Sequence, residues 1–394
     1  MSETKNENKL KDSNKVKIYE SFDDMKLKTP LLKGIYSHGF EKPSTIQQKA
    51  IIPLTEGRDL IAQSQSGTGK TGTFSIGILQ KIDSKKDETQ SLILAPTREL
   101  ATQIYDVIKS LGQYMDLRIY LSIGGTKGKQ FNRWNERKND HIIIGTPGRV
   151  LDNIKRKKIN INKLSVFTLD EADEMLSRGF VDQIYDIFQF LPKECQVVLF
   201  SATLPNEVLE LSSKFLNNPI NILVKTKELT LDGIKQFYVG VEKLSHKVDT
   251  IIDLFSMISI TQCIIFINRK RDVEEVYSIL RKSDFDVGLI TGNMEQKDRT
   301  NVIKNFRSGK VRVLLTTGLL ARGFDVQAVS IVINFDLPRD KENYIHSSGR
   351  CGRWGRKGCV INLVTEKEYE YLKTIENFYN TKVEELPNNF TEYL

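Results

Sequence analysis

"SLILAPTRELATQIYDVIKSL", Ser91–Leu111, is the stretch on which the reading of the fold turns. Its opening is apolar at consecutive positions, as a strand buried on both faces requires, and its continuation spaces apolar residues as a helix does. A break at Pro96-Thr97 separates the two. "RDLIAQS", "HIIIGTP", "LSVFTLD" and "CQVVLFSAT" are further runs of the first kind, each followed by a helical segment. Strands that alternate with helical crossovers form a parallel sheet covered on both faces. The first half therefore reads as a doubly wound, mostly parallel α/β domain.

The same pattern then restarts with "CIIFINRK", "DVGLITGN", "VRVLLTTG", "VSIVINF" and "CVINLVT". A chain of 394 residues exceeds what one core usually serves, so two domains are expected. The boundaries follow composition: a disordered polar tail over 1–20, a first domain over 21–224, a linker over 225–233 within "VKTKELTLDGIKQF", and a second domain over 234–394.

Composition excludes several classes. The 58 Lys+Arg against 50 Asp+Glu leave a formal charge of +8, which permits a polyanionic partner without demanding one. Cys195, Cys263, Cys351 and Cys359 make no CxxC pair, so neither a zinc site nor a disulfide framework is expected. The start "MSETKNENKLKDSNK" lacks the apolar core of a signal peptide, and no run is long enough for a membrane span. An intracellular protein free of the membrane is the expectation.

Ligands of open α/β sheets bind at the carboxyl ends of the strands. "SQSGTGKT" (Ser64–Thr71) stands there, between a strand and a helix. Gly67 and Gly69 let backbone N–H groups close around phosphate oxygens, Lys70 adds positive charge, and Thr71 offers a hydroxyl to Mg²⁺. Ser64 replaces the first glycine of the general phosphate-loop pattern. "VFTLDEAD" then supplies the second half of a nucleoside-triphosphate site: Asp170 to hold Mg²⁺ through water, and Glu171 to polarise the attacking water.

At "DEAD", Asp170–Asp173, the chain also resembles the DEAD-box ATP-dependent RNA helicases, and other motifs stand in that family's order. The resemblance implies two RecA-like domains, ATP as substrate and Mg²⁺ as its metal. "GFEKPSTIQQ" resembles the adenine-reading motif, with Phe22 as its isolated upstream aromatic. This puts Phe40, Lys42 and Gln47 on ATP together with Ser64, Gln65, Ser66, Gly67, Thr68, Gly69, Lys70 and Thr71, and Gly323 and Asp325 of "ARGFD" on its ribose. For single-stranded RNA held without sequence preference, it implies Pro96, Thr97, Arg98, the Gly124–Gly125 pair, Thr146, Pro147, Gly148 and Arg149 from the first half. Asn268, Arg269, Gln296, Arg299 and Thr316 join them from the second. Ser201, Ala202 and Thr203 resemble the motif that links hydrolysis to unwinding, with Asp173 and His346 as further coupling residues. Each short motif taken singly could equally be a strand-to-helix turn with a capping residue.

"HSSGRCGRWGR" (346–356) sets three arginines three residues apart. In the two-domain reading Arg350 and Arg353 become arginine fingers for the γ-phosphate, a device worth about 10³ to 10⁵ in rate. Arg356 lies outside the matched motif and reads as a solvated charge. The competing reading is a disordered glycine-arginine tract that binds RNA.

"LLKGIYSHGFEKPSTIQQ", "ELTLDGIKQF" and "IENFYNTKVEELPNN" resemble the initiation factor 4A subgroup, which includes an exon-junction paralogue. That implies a monomer with a protein scaffold, acting in translation initiation and located in the cytoplasm, with the nucleus as the alternative. Gly318, Ser347 and Ser348 depart from the subgroup, as do Thr291 and Asn293 more mildly. Gly318 lacks a carboxylate and Ser347 an arginine that would favour domain closure, so two functions stay open: a helicase, or an ATP-gated RNA clamp with slow turnover.

Overall fold

The computed structural model describes residues 16–65, 67–125, 139–176, 179–223, 234–243, 245–257, 262–318, 329–351 and 358–393. The chain divides into two compact units, Met1–Lys225 and Thr226–Leu394. The strands of the first are β1 (Leu60–Gln63), β2 (Ser91–Leu94), β3 (Ile119–Ser122), β4 (Ile142–Gly145), β5 (Val166–Asp170), β6 (Gln196–Ser201) and β7 (Ile220–Leu223). Those of the second are β8 (Ile234–Gly240), β9 (Cys263–Phe266), β10 (Val287–Ile290), β11 (Val313–Thr316), β12 (Ile331–Asn334), β13 (Gly358–Val364) and β14 (Glu384–Glu385).

The first sheet runs β3-β4-β2-β5-β6-β1-β7 and the second β10-β11-β9-β12-β13-β8-β14. Counted from the first strand of each unit, the two orders are the same. The strand pairs are parallel, for example Leu60 beside Val198 and Ile331 beside Cys359. The restart seen in the sequence is therefore a repeat of topology. The parallel, doubly wound architecture expected from the apolar runs is the one found.

Each sheet has a core on both faces, which is why central strands such as β2, β4 and β9 are apolar and buried along nearly their whole length. Leu60, Ala62, Ile93, Ile142 and Ile144 join one core with Phe74 and Ile78 of the helix Lys70–Lys81. Their neighbours Ile61, Leu92, Leu94 and Ile143 point to the other, against Ile184 and Ile187 of the helix Val181–Phe188. Ile265 and Ile264 divide in the same way in the second unit. Truncating a central residue such as Ile93 or Ile265 to alanine costs about 2–5 kcal/mol.

The sequence reading missed β3, β7, β8 and β14. β14 has only two residues, both exposed, and β8 follows directly on the stretch read as linker. The polar tail also ends earlier than expected. Val16 and Tyr19 pack against the first core, and the Tyr19 N–H donates to Gln48 O at 3.3 Å. Residues 1–15 and the linker 225–233 lie outside the described residues, as do Ser66, Gly323, Asp325, Arg353 and Arg356. Among the described residues no helix is long and apolar enough to cross a membrane.

Candidate nucleotide and RNA sites

The phosphate loop leaves the end of β1 and turns through Gly67 (φ 83°) and Gly69 (φ 98°) into the helix Lys70–Lys81. Both angles lie in the left-handed region, which glycine adopts without a Cβ penalty. Inside the loop Thr68 Oγ1 donates to Gln65 O at 2.7 Å and lies 2.5 Å from Ser64 Oγ. Lys70 is buried, and its Nζ donates to Ser64 O at 2.7 Å and Gln65 O at 3.3 Å. The ammonium thus sits on loop carbonyls, with its charge at the mouth of the turn. The departure at Ser64 has a local use, because its hydroxyl meets Thr68.

Gln47 is placed from below by helix chemistry. Ser44 and Gln47 stand as a capping box on the helix Thr45–Thr55, the Ser44 N–H donating to Gln47 Oε1 at 2.8 Å. That leaves Gln47 Nε2 facing the loop, 3.4 Å from Gly69 O. A Cβ added at Gly72 would stand 2.8 Å from Gln47 Nε2 and 2.9 Å from Phe40 Cε2. So Phe40 and Gln47 both rest on the first turn of the phosphate-loop helix. The imidazole of His38 meets the Phe40 ring edge-on at 4.8 Å and is tethered through Nδ1 to Ser110 Oγ at 2.8 Å. Lys42 is exposed and Phe22 is fully buried.

β5 delivers Asp170 and Glu171 beside the loop, both buried. Burial, with the adjacent Glu171 charge, pushes the Asp170 carboxyl up to about 7, while Lys70 draws it down. Glu171 has a φ of 51°. A non-glycine residue held there stores roughly 1–3 kcal/mol, and such strain collects at functional sites. The turn aims Asp173 at the end of β6, where Thr203 Oγ1 donates to Asp173 Oδ2 at 2.6 Å and the Asp173 N–H donates to Ser201 Oγ at 3.4 Å. Ser201 O accepts from the Ser64 N–H at 3.0 Å, and Ala202 O from Gln63 Nε2 at 3.3 Å. Three motifs far apart in sequence are one hydrogen-bonded unit.

Further along the same sheet edge, Arg98, Gly124, Thr146, Gly148, Arg149 and Arg156 line an open cleft of about 450 Å³ with Asp152. Thr97 caps the helix Arg98–Leu111, accepting from the Leu100 N–H at 3.2 Å, and Thr146 stands at the N-cap of the helix Pro147–Lys155. Arg98 lies over Gly124, where a Cβ would approach its Nη2 to 2.9 Å. Pro96 and Gly125 flank the cleft in sequence, and Gly125 has a φ of 82°. Asp152 accepts from Arg156 Nε at 2.6 Å and pairs with Arg149 at 3.9 Å. The capping reading therefore holds at Thr97.

In the second unit Asn268 and Arg269 are exposed after β9, and Gln296 begins the helix Gln296–Arg307. Arg299 and Thr316 are buried, 4% and 0% exposed. Arg350 is buried as well, its Nε donating to His346 O at 3.0 Å. Ser347 and Ser348 are interior residues of the same unit, and Ser347 Oγ turns back to Tyr344 O at 3.0 Å. Among the described residues nothing stands within 4 Å of where a side chain at Gly318 would begin.

The model of the DEAD/DEAH box helicase domain matches residues 44–211, and that of the conserved C-terminal helicase domain matches residues 246–355. The chain belongs to the DEAD/DEAH box helicase family. This DEAD-box protein is 55% identical over 377 residues to eukaryotic initiation factor 4A of Drosophila melanogaster, covering 96% of this chain and 93% of that protein. To the Caenorhabditis elegans initiation factor 4A it is 51% identical over 385 residues, 98% and 96% of the two chains. S. cerevisiae Dbp5 bound to RNA and ADP BeF3 superposes with a TM-score of 0.88 at 37% identity, covering 93% of this chain and 95% of that one. Mss116p bound to ssRNA and AMP-PNP gives 0.83 at 28% identity, with 92% and 78% covered. As a DEAD-box protein the chain is an RNA helicase that hydrolyses ATP.

Sequence reasoning named Gln47 but not its partner Ser44, although Ser-x-x-Gln before an apolar run is a capping-box signal. It also passed over Gly72, Asp152 and Arg156. The spacing of Arg149, Asp152 and Arg156, three and then four residues apart, could have shown the last two to share a helix face with Arg149.

Proposed function

We propose that this helicase binds single-stranded RNA through residues of both domains, couples ATP hydrolysis to local duplex unwinding, and serves translation initiation. The observation that carries the coupling is the hydrogen-bonded set of Ser64, Ser201, Asp173 and Thr203. A change at the phosphates moves Ser64, and Ser201 hands it to Asp173 and Thr203 without an intervening loop.

In this reading Phe40 and Gln47 take the adenine, the loop from Ser64 to Thr71 takes the phosphates, Asp325 takes the ribose, and Lys42 and Gly323 complete the nucleotide site. Lys70 and the N-terminus of its helix hold negative charge. The donor set suits a divalent cation: Asp170 is a buried carboxyl beside Glu171, and a cation would relieve their repulsion. Thr71 and Asp170 would hold Mg²⁺, which neutralises charge on the phosphate oxygens when bound. Glu171 orients the attacking water, and Arg350 and Arg353 answer the charge that develops on the γ-phosphate.

Arg98, Arg149, Asn268 and Arg269, with Thr97, Thr146, Gly125, Gly148, Gln296 and their neighbours, take phosphates and sugars, which position a strand without reading its bases. The initiation factor 4A relatives support the initiation role; a scaffold protein as partner and action in the cytoplasm belong to the same reading. Phosphate release from ATP, measured with and without single-stranded RNA, tests the reading. Stimulation by RNA supports it, while tight ATP-dependent RNA binding without stimulation would mark a clamp instead.

A further inference from the structure

Lys247 is fully buried, at the start of the helix His246–Met257. A buried ammonium persists only where its donors are met. Its Nζ donates to Phe335 O at 2.7 Å and to Glu368 Oε2 and Oε1 at 3.0 and 3.2 Å, with Asp336 Oδ1 at 3.7 Å. The Phe335 ring covers the ammonium at 5.5 Å.

These partners belong to two turns at the carboxyl edge of the second sheet. Glu368 is the capping-box residue of the helix Glu366–Tyr379, and its Oε2 also accepts from the Thr365 N–H at 2.9 Å. Phe335 and Asp336 form the turn after β12. The Phe335 N–H donates to Phe266 O at 2.9 Å, and Asp336 Oδ2 accepts from the Asn268 N–H at 2.9 Å. Asn268 Nδ2 closes the link on Leu337 O, again at 2.9 Å. The stretch that carries Asn268 and Arg269 is thus hung on the Phe335–Leu337 turn, and that turn is held from beneath by Lys247.

We infer that Lys247, acting through Asp336, is a positioning residue that presents Asn268 and Arg269 to RNA. The inference rests on the assignment of those two residues as RNA contacts. Lys247 touches no substrate; it fixes a carboxylate, and the carboxylate fixes the backbone of the contact loop. A buried ion pair whose only role is stability would lower the melting temperature and leave RNA recognition alone.

The test is steady-state ATPase kinetics of the full chain with single-stranded poly(U) as the varied RNA, beside thermal melting. Asp336→Asn keeps the side-chain shape, and Asp336 is only half-buried, so this variant is the one expected to fold. It should raise the KM for RNA roughly tenfold while the KM for ATP stays within about twofold, the pattern of a mis-set binding loop. Lys247→Met should do the same where it folds, and the double variant should add little to the larger single effect, because both act in one chain of contacts. Asn268→Ala reports on the assignment beneath the inference. If Asn268→Ala raises the RNA KM and Asp336→Asn does not, the positioning role is overturned. If neither does, the RNA-contact assignment falls and the inference with it.

Discussion

Thr203 Oγ1 lies 2.6 Å from Asp173 Oδ2, joining the end of β6 to the turn that carries Glu171. The hydroxyl donates to a buried carboxylate, the stronger kind of neutral-to-charged bond. Replacing Thr203 by valine keeps the volume and removes the donor, at a cost of about 1–3 kcal/mol for the carboxylate left short of a partner. Strand separation of a short RNA duplex should fall at least about tenfold, while RNA-stimulated phosphate release falls no more than about threefold. Equal losses in the two assays would reject Thr203 as a coupling residue.

Gly72 is a contact surface for Gln47 and Phe40, the two residues proposed to take the adenine. Alanine there would stand closer than 3.0 Å to both, so one of them must move. Gly72→Ala should raise the KM for ATP about tenfold, with melting shifted little because alanine favours the helix. Titration of the variant with a fluorescent ATP analogue checks this directly.

Glu171 combines burial with a left-handed backbone. Glu171→Gln preserves size and hydrogen-bonding reach but removes the carboxylate proposed to act on water. Turnover should drop by about 10² to 10⁴, with ATP and RNA binding retained. A variant that still turns over at the wild-type rate would move the water-activating role elsewhere.

Arg350 donates through Nε to His346 O, which ties it to the last turn of the helix Lys341–Ser348. Arg350→Lys loses the planar fork and its preset direction. Single-turnover hydrolysis should slow by about 10³ or more, with RNA affinity unchanged. A slowing of less than tenfold would remove Arg350 from the set that meets the γ-phosphate.

His141 gives a pH prediction away from the site. It is fully buried at the amino edge of the first sheet, where its Nδ1 accepts from the Arg118 N–H at 3.1 Å. Burial, and then the Arg118 charge, hold its pKa below the ordinary 6.5. The folded state resists a proton that the unfolded state takes up, so the neutral imidazole's contribution is complete above 6.5 and is lost as pH falls below it. Thermal melting between about pH 7 and pH 5 should therefore show a steeper decline for wild type than for His141→Asn, which keeps an acceptor but cannot titrate. Parallel curves would show that His141 is not the group responsible.

Much of this protein was legible in the sequence, because its strands are buried on both faces. Continuous apolar runs such as "SLILA" and "HIIIG" mark parallel strands without tertiary information, and glycines such as Gly67 and Gly69 mark a turn that other residues resist. Local chemistry of this kind fixes which residues sit at the carboxyl edge. The tertiary structure alone decided which of them meet. Asp173 and Thr203 are thirty residues apart, and only the neighbouring positions of β5 and β6 bring hydroxyl to carboxylate. Only packing shows that Gln47 faces Gly69, or that Arg299 is enclosed. Lys247 carried no signal at all, since a lysine in a helix is ordinarily a solvated charge. Its partners lie 88 and 121 residues away, and long-range burial is what turns that charge into a fixed point of the second domain.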